Sequence, residues 1–162
     1  MICVLFASLM GCGYRFAGGG NFPAGVDSVF VEIFGNRSSE VGLENIFTND
    51  LIYEITRKSD VRLASKDDAD AILSGVITEV TTTPASRRGE SVAIERRVTV
   101  RVDLKLTNAQ GKVLWSAKDV SANQTYFVGG LTQQTENNKS DALIALSKRF
   151  AEIIYNQLTT GF

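Results

Sequence analysis

The feature that most constrains the fold is a two-residue alternation between positions 98 and 107. Successive side chains of a β-strand point to opposite faces, so this pattern predicts a strand that is buried on one face and exposed to solvent on the other. Such a strand needs packed structure on one face only. The alternating residues are the apolar Val98, Val100, Val102, Leu104 and Leu106 and the polar Thr99, Arg101, Asp103, Lys105 and Thr107.

The residues around this strand predict a hairpin on each side. Residues 108–111, Asn-Ala-Gln-Gly, are a predicted hairpin loop in which the glycine can adopt a positive φ, and the alternation resumes at Val113, Trp115 and Ala117. Residues 90–107 are compatible with a single strand much longer than the usual five or six residues. A loop at residues 84–89 is then expected at the tip of a long hairpin that projects from the body.

Two stretches have helical periodicity. Apolar residues recur every three or four positions in residues 40–59 and again in residues 140–158, while charged residues fall outside each stripe. Turn and cap residues precede both stretches, at residues 36–39 and 137–138. Each helix is therefore expected to bury one side only.

The remaining strands are predicted at residues 29–34 and 72–81, with a short one at residues 61–64. Pro84 is expected to end the pairing of the second strand because proline has no backbone N–H. Because each helix has one apolar stripe, both should cover the same sheet face. The expected fold is α+β, a two-layer sandwich of two amphipathic helices on one face of a small mixed four-stranded sheet.

Five arginines lie close together in the sequence of the predicted long hairpin. A guanidinium group can pair with a phosphate through two hydrogen bonds, so these residues are candidates for contact with an anionic lipid head group or an acidic partner. A solvated loop whose charges prevent edge-to-edge aggregation explains them equally well. The candidates are Arg87, Arg88, Arg96, Arg97 and Arg101.

The N-terminal residues have the pattern of a lipoprotein signal. Residues 2–10 are uncharged and apolar or small, which is too short to span a bilayer but fits the apolar core of a signal peptide. Residues 9–12, Leu-Met-Gly-Cys, resemble the bacterial lipobox, which implies that Cys12 carries diacylglycerol and an N-acyl chain. A buried N-terminal strand is the alternative. The predicted organisation is a signal peptide at 1–11, a lipidated flexible tether at 12–22 and one domain at 23–162.

Composition weighs against catalysis, metal binding and nucleic-acid binding. The chain has no histidine, which removes the commonest general base and the commonest metal ligand, and its formal net charge of -1 does not favour nucleic acid. Ser116 and Lys118 could only form a weak nucleophile–base pair on a strand surface. Asp67, Asp68 and Asp70 lack the glycine and closing glutamate of a calcium loop. We therefore predict no catalytic residue, no metal ligand and no cofactor.

Several short segments along the chain form an ordered set of motifs. They are Cys-Gly-Tyr-Arg-Phe at 12–16, the strand at 29–34 with Gly-Asn-Arg-Ser at 35–38, Ala-Asp-Ala-Ile-Leu-Ser-Gly at 69–75, Thr-Pro at 83–84 and Gly-Lys-Val-Leu-Trp at 111–115. In this order they resemble the LptE family of lipopolysaccharide-assembly lipoproteins. The resemblance implies a non-enzymatic outer-membrane lipoprotein that faces the periplasm and plugs the lumen of the LptD β-barrel, with which it inserts lipopolysaccharide into the outer leaflet. A lipoprotein that activates or scaffolds another cell-envelope machine, and a serine–lysine hydrolase, are the alternatives.

Overall fold

The computed structural model describes residues 22–23, 25–88 and 92–160 of the 162-residue chain. The predicted signal peptide and the tether up to residue 21, including Cys12, lie outside this part. The elements follow one another as β1 (Ser28–Val31), β2 (Gly35–Asn36), α1 (Leu43–Lys58), β3 (Arg62–Leu63), β4 (Ala71–Arg88), β5 (Val92–Asn108), β6 (Val113–Phe127) and α2 (Thr132–Thr160).

The strands form one mixed sheet in the order β3-β1-β4-β5-β6, and β2 also pairs with β4. β1 runs parallel to β3 and β4, whereas β5 runs antiparallel to both of its neighbours, β4 and β6. The α+β class and the two helices are confirmed, but the described sheet has six strands and the prediction of four is wrong. Two-residue strands such as β2, which lies in a predicted turn, have no periodicity. Their pairing depends only on where the chain passes a neighbouring strand.

The alternation of residues 98–106 packs as expected. The apolar series on β5 is 0–4% exposed, and it shares one core with the apolar stripes of both helices. The helices also pack against each other, with the ring centroids of Phe47 and Phe150 5.3 Å apart. Both helices therefore cover one face of the sheet, which leaves Arg101 and Lys105 on the open face.

The long hairpin is longer than the sequence suggested. β4 and β5 pair from Ala71 opposite Asn108 to Arg88 opposite Val92. Pro84 does not end the pairing, so that expectation is wrong. The ladder passes it through an irregularity between Pro84 and Ser86, and among the described strands β4 has no second neighbour there that would need the missing N–H.

The helix boundaries also differ from the predicted ones. α2 begins at Thr132 rather than at Ser140, so Asn137 and Asn138 lie inside it. Tertiary contacts support the added turns, because Thr135 is buried and its hydroxyl accepts a hydrogen bond from the N–H of Gly129 at 3.0 Å. These contacts outweigh the weak helix propensity of the asparagines.

Candidate functional site

The candidate site is the distal hairpin, defined as residues 79–88 of β4 and residues 92–101 of β5. β2 pairs with β4 only as far as Asn36 opposite Ile77, so the distal part of β4 has β5 as its one described neighbour. At about 3.3 Å per residue, this segment of β4 is roughly 30 Å long. Residues 81–85 are all exposed. The distal hairpin thus presents an open sheet edge and a tip.

Arg96 and Arg97 lie at the middle of the distal hairpin and point to opposite faces. Arg96 is opposite Pro84 on one side and Tyr126 on the other, whereas Arg97 is opposite Thr83 and Thr125. Both arginines are exposed, and neither forms an ion pair within the described residues. Each is available to bind an anion, but on a different face of the sheet.

Arg101, unlike Arg96 and Arg97, is paired with two carboxylates. Its Nη1 donates to Oδ1 of Asp119 at 2.7 Å, and its Nε lies 3.1 Å from Oε2 of Glu79. The Asp119 carboxylate, with a smaller contribution from Glu79, raises the pKa of the Arg101 guanidinium above its usual value. Because two carboxylates already neutralise it, Arg101 is not equivalent to Arg96 and Arg97 as an anion ligand.

Arg87 and Arg88 end β4 next to the tip, where their backbone is opposite Ala93 and Val92. Arg96 is three residues farther along β5 than Ala93, a distance of about 10 Å. The fold therefore brings Arg87, Arg88 and Arg96 to the outer half of the distal hairpin, and Arg97 follows directly at its middle. The fifth, Arg101, lies at its base.

Sequence reasoning did not identify Asp119 as part of this region. The residue occupies an irregularity in the β5–β6 ladder and has a positive φ of 56°. Its N–H donates to Oδ1 of Asp103 at 2.8 Å, which holds the carboxylate beside Arg101. The only signal in the sequence is that aspartate tolerates this conformation better than most residues. The residue pattern does not indicate the irregularity itself.

The described residues contain neither a metal site nor a membrane-spanning helix. No group of three or more acidic, histidine or cysteine side chains is arranged to hold a metal ion among them. Within the same residues, neither helix combines the length and apolar character needed to cross a bilayer.

Structural comparison shows that the fold is shared with bacterial lipoproteins. Lipoprotein B from Nitrosomonas europaea has 14% identity, with 92% of each chain covered and a TM-score of 0.65. A minor lipoprotein from Acinetobacter baumannii has 17% identity over 83% of this chain and 94% of that one, with a TM-score of 0.57. The rare lipoprotein B from Shewanella oneidensis has 11% identity over 79% and 94%, with a TM-score of 0.52. At these identities the likeness shows the fold.

The sequence comparison identifies the family. A family model described as "LptE: Lipopolysaccharide-assembly" matches residues 26–158. A search of curated proteins found no match. The protein is therefore a non-enzymatic, cofactor-free lipoprotein of the lipopolysaccharide-assembly class. It belongs to the LptE family, as its motifs had indicated.

Proposed function

We propose that this protein is lipidated at Cys12, is held at the outer membrane facing the periplasm and plugs the lumen of an LptD-like β-barrel. In this role it assists the barrel in inserting lipopolysaccharide into the outer leaflet. Membership of the LptE family supports the general role in lipopolysaccharide assembly. The distal hairpin, which extends along β4 and β5 well past β2, is the observation that supports a plug with a protruding contact element.

We also propose that four arginines of the distal hairpin, Arg87, Arg88, Arg96 and Arg97, contact the barrel or the phosphates of lipid A. Arg101 is not among them, because it is paired with Asp119 and Glu79. Residues 79–101 contain five arginines against three glutamates, although the whole chain has a net charge of -1. The exposed Arg96 and Arg97 can each present a planar set of donors to a phosphate. Arg87 and Arg88 add positive charge near the tip, so the distal hairpin is the region most suited to an anionic ligand.

Affinity purification tests the plug. The tagged lipoprotein is purified from detergent-solubilised outer membranes, and a β-barrel several times its mass is expected to co-purify with it. Recovery of a cell-wall synthase in place of a barrel would support the alternative, a lipoprotein that activates or scaffolds another envelope machine. Recovery of neither protein would count against the plug.

Charge removal tests the arginines. Lipopolysaccharide binding and barrel recovery are measured for Arg87→Ala/Arg88→Ala and for Arg96→Ala/Arg97→Ala. Because a hydrogen bond to a charged group contributes about 1.5–3 kcal/mol, loss of one phosphate contact should weaken binding about tenfold or more.

The matched control is Lys148→Ala/Arg149→Ala, which removes the same charge from exposed positions on α2. It should leave binding within about twofold of the wild type, since it alters only long-range electrostatics that salt screens. Equal binding by the wild type and both arginine variants would show that these arginines are only solvated surface charges.

A further inference from the structure

β6 is an edge strand along its whole length. It is 15 residues long and pairs with β5 alone among the described strands. Every second residue of such a strand directs its N–H and C=O away from the sheet, where they can pair with another chain. The edge is interrupted at Asp119, whose positive φ breaks the regular extended backbone. The uninterrupted part is the outer edge of β6, residues 120–127.

Two hydrogen bonds establish which backbone groups face outward. The N–H of Val128 donates to the carbonyl of Ile94 on the β5 side, whereas the carbonyl of Phe127 accepts from Nδ2 of Asn138 at 2.9 Å on the α2 side. Backbone direction alternates along an antiparallel strand. The residues that share the outward direction of Phe127 are therefore Ser121, Asn123 and Thr125.

A groove lies between α2 and the last four residues of this outer edge, Gln124 to Phe127. Its volume is about 280 Å³, and residues from both elements line it. The helix contributes Ala142 and Ala145, whose small side chains leave space for an incoming backbone. Phe127, which lines the groove, is 68% exposed, so apolar surface lies next to the open hydrogen-bonding edge.

We propose that an extended segment of the barrel polypeptide adds to β6 as a further strand and occupies this groove. The inference rests on the proposed function, because it takes the barrel as the partner. Strand addition to an edge beside a helix is a general mode of peptide recognition, in which main-chain hydrogen bonds provide affinity and adjacent pockets provide selectivity. The groove would receive small side chains over Ala142 and Ala145, and an apolar one at Phe127.

Charge favours a segment with a basic residue. Asp141 is the only charged residue that lines the groove, and it forms no ion pair within the described part of the chain. A second copy paired antiparallel through β6 would bring its own α2, and with it a second Asp141, onto the same face of the sheet. Two like charges there would oppose self-pairing, whereas a cationic side chain of a partner segment complements the site.

Amide hydrogen exchange of the intact complex provides the direct test. The co-purified lipoprotein–barrel complex is compared with the free lipoprotein, and exchange is followed at single-residue resolution in residues 120–127. Strand addition predicts that the outward amides of Ser121, Asn123 and Thr125 exchange at least about tenfold more slowly in the complex. The neighbouring amides that already pair with β5 should change much less.

Two pairs of variants separate backbone pairing from side-chain effects. Asn123→Pro removes an outward N–H, whereas Asn123→Ala keeps it. Because Asn123→Pro loses one backbone hydrogen bond, its affinity for the barrel should fall about fivefold. The affinity of Asn123→Ala should stay within about twofold of the wild type. If Asn123→Pro does not fold, Ala145→Gln tests the groove by filling it, with an expected loss of about tenfold. Ser140→Gln makes the same type of change at an exposed α2 position that lines a different cleft, between α1 and α2, and should not alter binding.

The outcomes distinguish this inference from the proposed function. If the wild type recovers no barrel, both fail. If the barrel is recovered but the outward amides exchange as in the free protein, or Ala145→Gln binds like the wild type, strand addition at β6 is wrong and the plug stands. Protection that appears in the free protein and grows with its concentration would identify a second copy as the occupant and overturn the proposal.

Discussion

Gly75→Ala should destabilise the fold through one steric conflict. A Cβ placed on Gly75 would lie 2.7–2.8 Å from three ring carbons of Phe34, closer than non-bonded carbons approach. The ring is 3% exposed, and the Phe34 N–H donates to Oγ1 of Thr48 on α1 at 3.0 Å. That hydrogen bond and the surrounding core restrict how far Phe34 can move.

The size of the effect follows from the distance. The ring must move by nearly 1 Å to restore ordinary contact, and overpacking of this kind costs about 1–3 kcal/mol. For a domain of this size, 1 kcal/mol lowers the melting temperature by about 2–4 °C, so a mid-range cost of about 2 kcal/mol corresponds to a decrease of roughly 4–8 °C. In urea, the midpoint should decrease while the slope stays constant, because the unfolded surface is the same.

A matched glycine provides the control. Gly130→Ala adds the same methyl group at a position with no heavy atom within 4 Å of the new Cβ and no positive φ. It should be neutral or raise the free energy of unfolding by a few tenths of a kcal/mol, since alanine restricts the unfolded chain.

A double-mutant cycle tests the cause. Phe34→Leu removes the conflicting end of the ring, so Gly75→Ala/Phe34→Leu should be about 1 kcal/mol more stable than the sum of the two single changes predicts. Strict additivity, or a Gly75→Ala variant as stable as the wild type, would refute the contact between Phe34 and Gly75 as the origin of the effect.

Two further predictions concern charged groups. Burial disfavours ionised Glu54, but hydrogen bonds from Lys58 and Arg57 outweigh it, so the pKa of Glu54 lies below its ordinary value of 4.5. The ionised Glu54 therefore stabilises the fold above pH 4.5, and this stabilisation is lost as the pH falls through the lowered pKa of the folded state. Between pH 7 and pH 3, the free energy of unfolding of Glu54→Gln, measured in urea, should decrease less than that of the wild type. Arg101→Ala should change lipopolysaccharide binding less than about twofold, because the Arg101 guanidinium already forms ion pairs with Asp119 and Glu79. A loss equal to that of Arg96→Ala/Arg97→Ala would contradict this assignment.

The predicted core was largely visible in the sequence because it depends on local periodicity. The alternation that starts at Val98 identified the buried face of β5, and the stripes through Phe47 and Phe150 identified the packed sides of both helices. Boundaries were less predictable. Pro84 lies within a paired strand and Asn138 lies within a helix, because pairing and packing with distant residues decided both positions.

The sequence identified the arginines, but it did not show which of them are free to bind an anion. Arg96, Arg97 and Arg101 are chemically the same in the sequence, and only the register of β5 against β6 places Asp119 beside the third. That register depends on an irregularity between elements that periodicity does not encode. The open edge of β6 is likewise invisible in the sequence, since a strand's pattern shows which face is buried and not which neighbour is missing.

By itself the sequence determined the α+β class, the buried face of the longest alternating strand, the family resemblance and the absence of histidine chemistry. Those properties depend on residue type and spacing along the chain. The tertiary structure decided the six-strand order, the extent of the distal hairpin, the neutralisation of Arg101 and the groove between β6 and α2. These depend on contacts between residues far apart in the chain, which are set by how the helices and strands pack together.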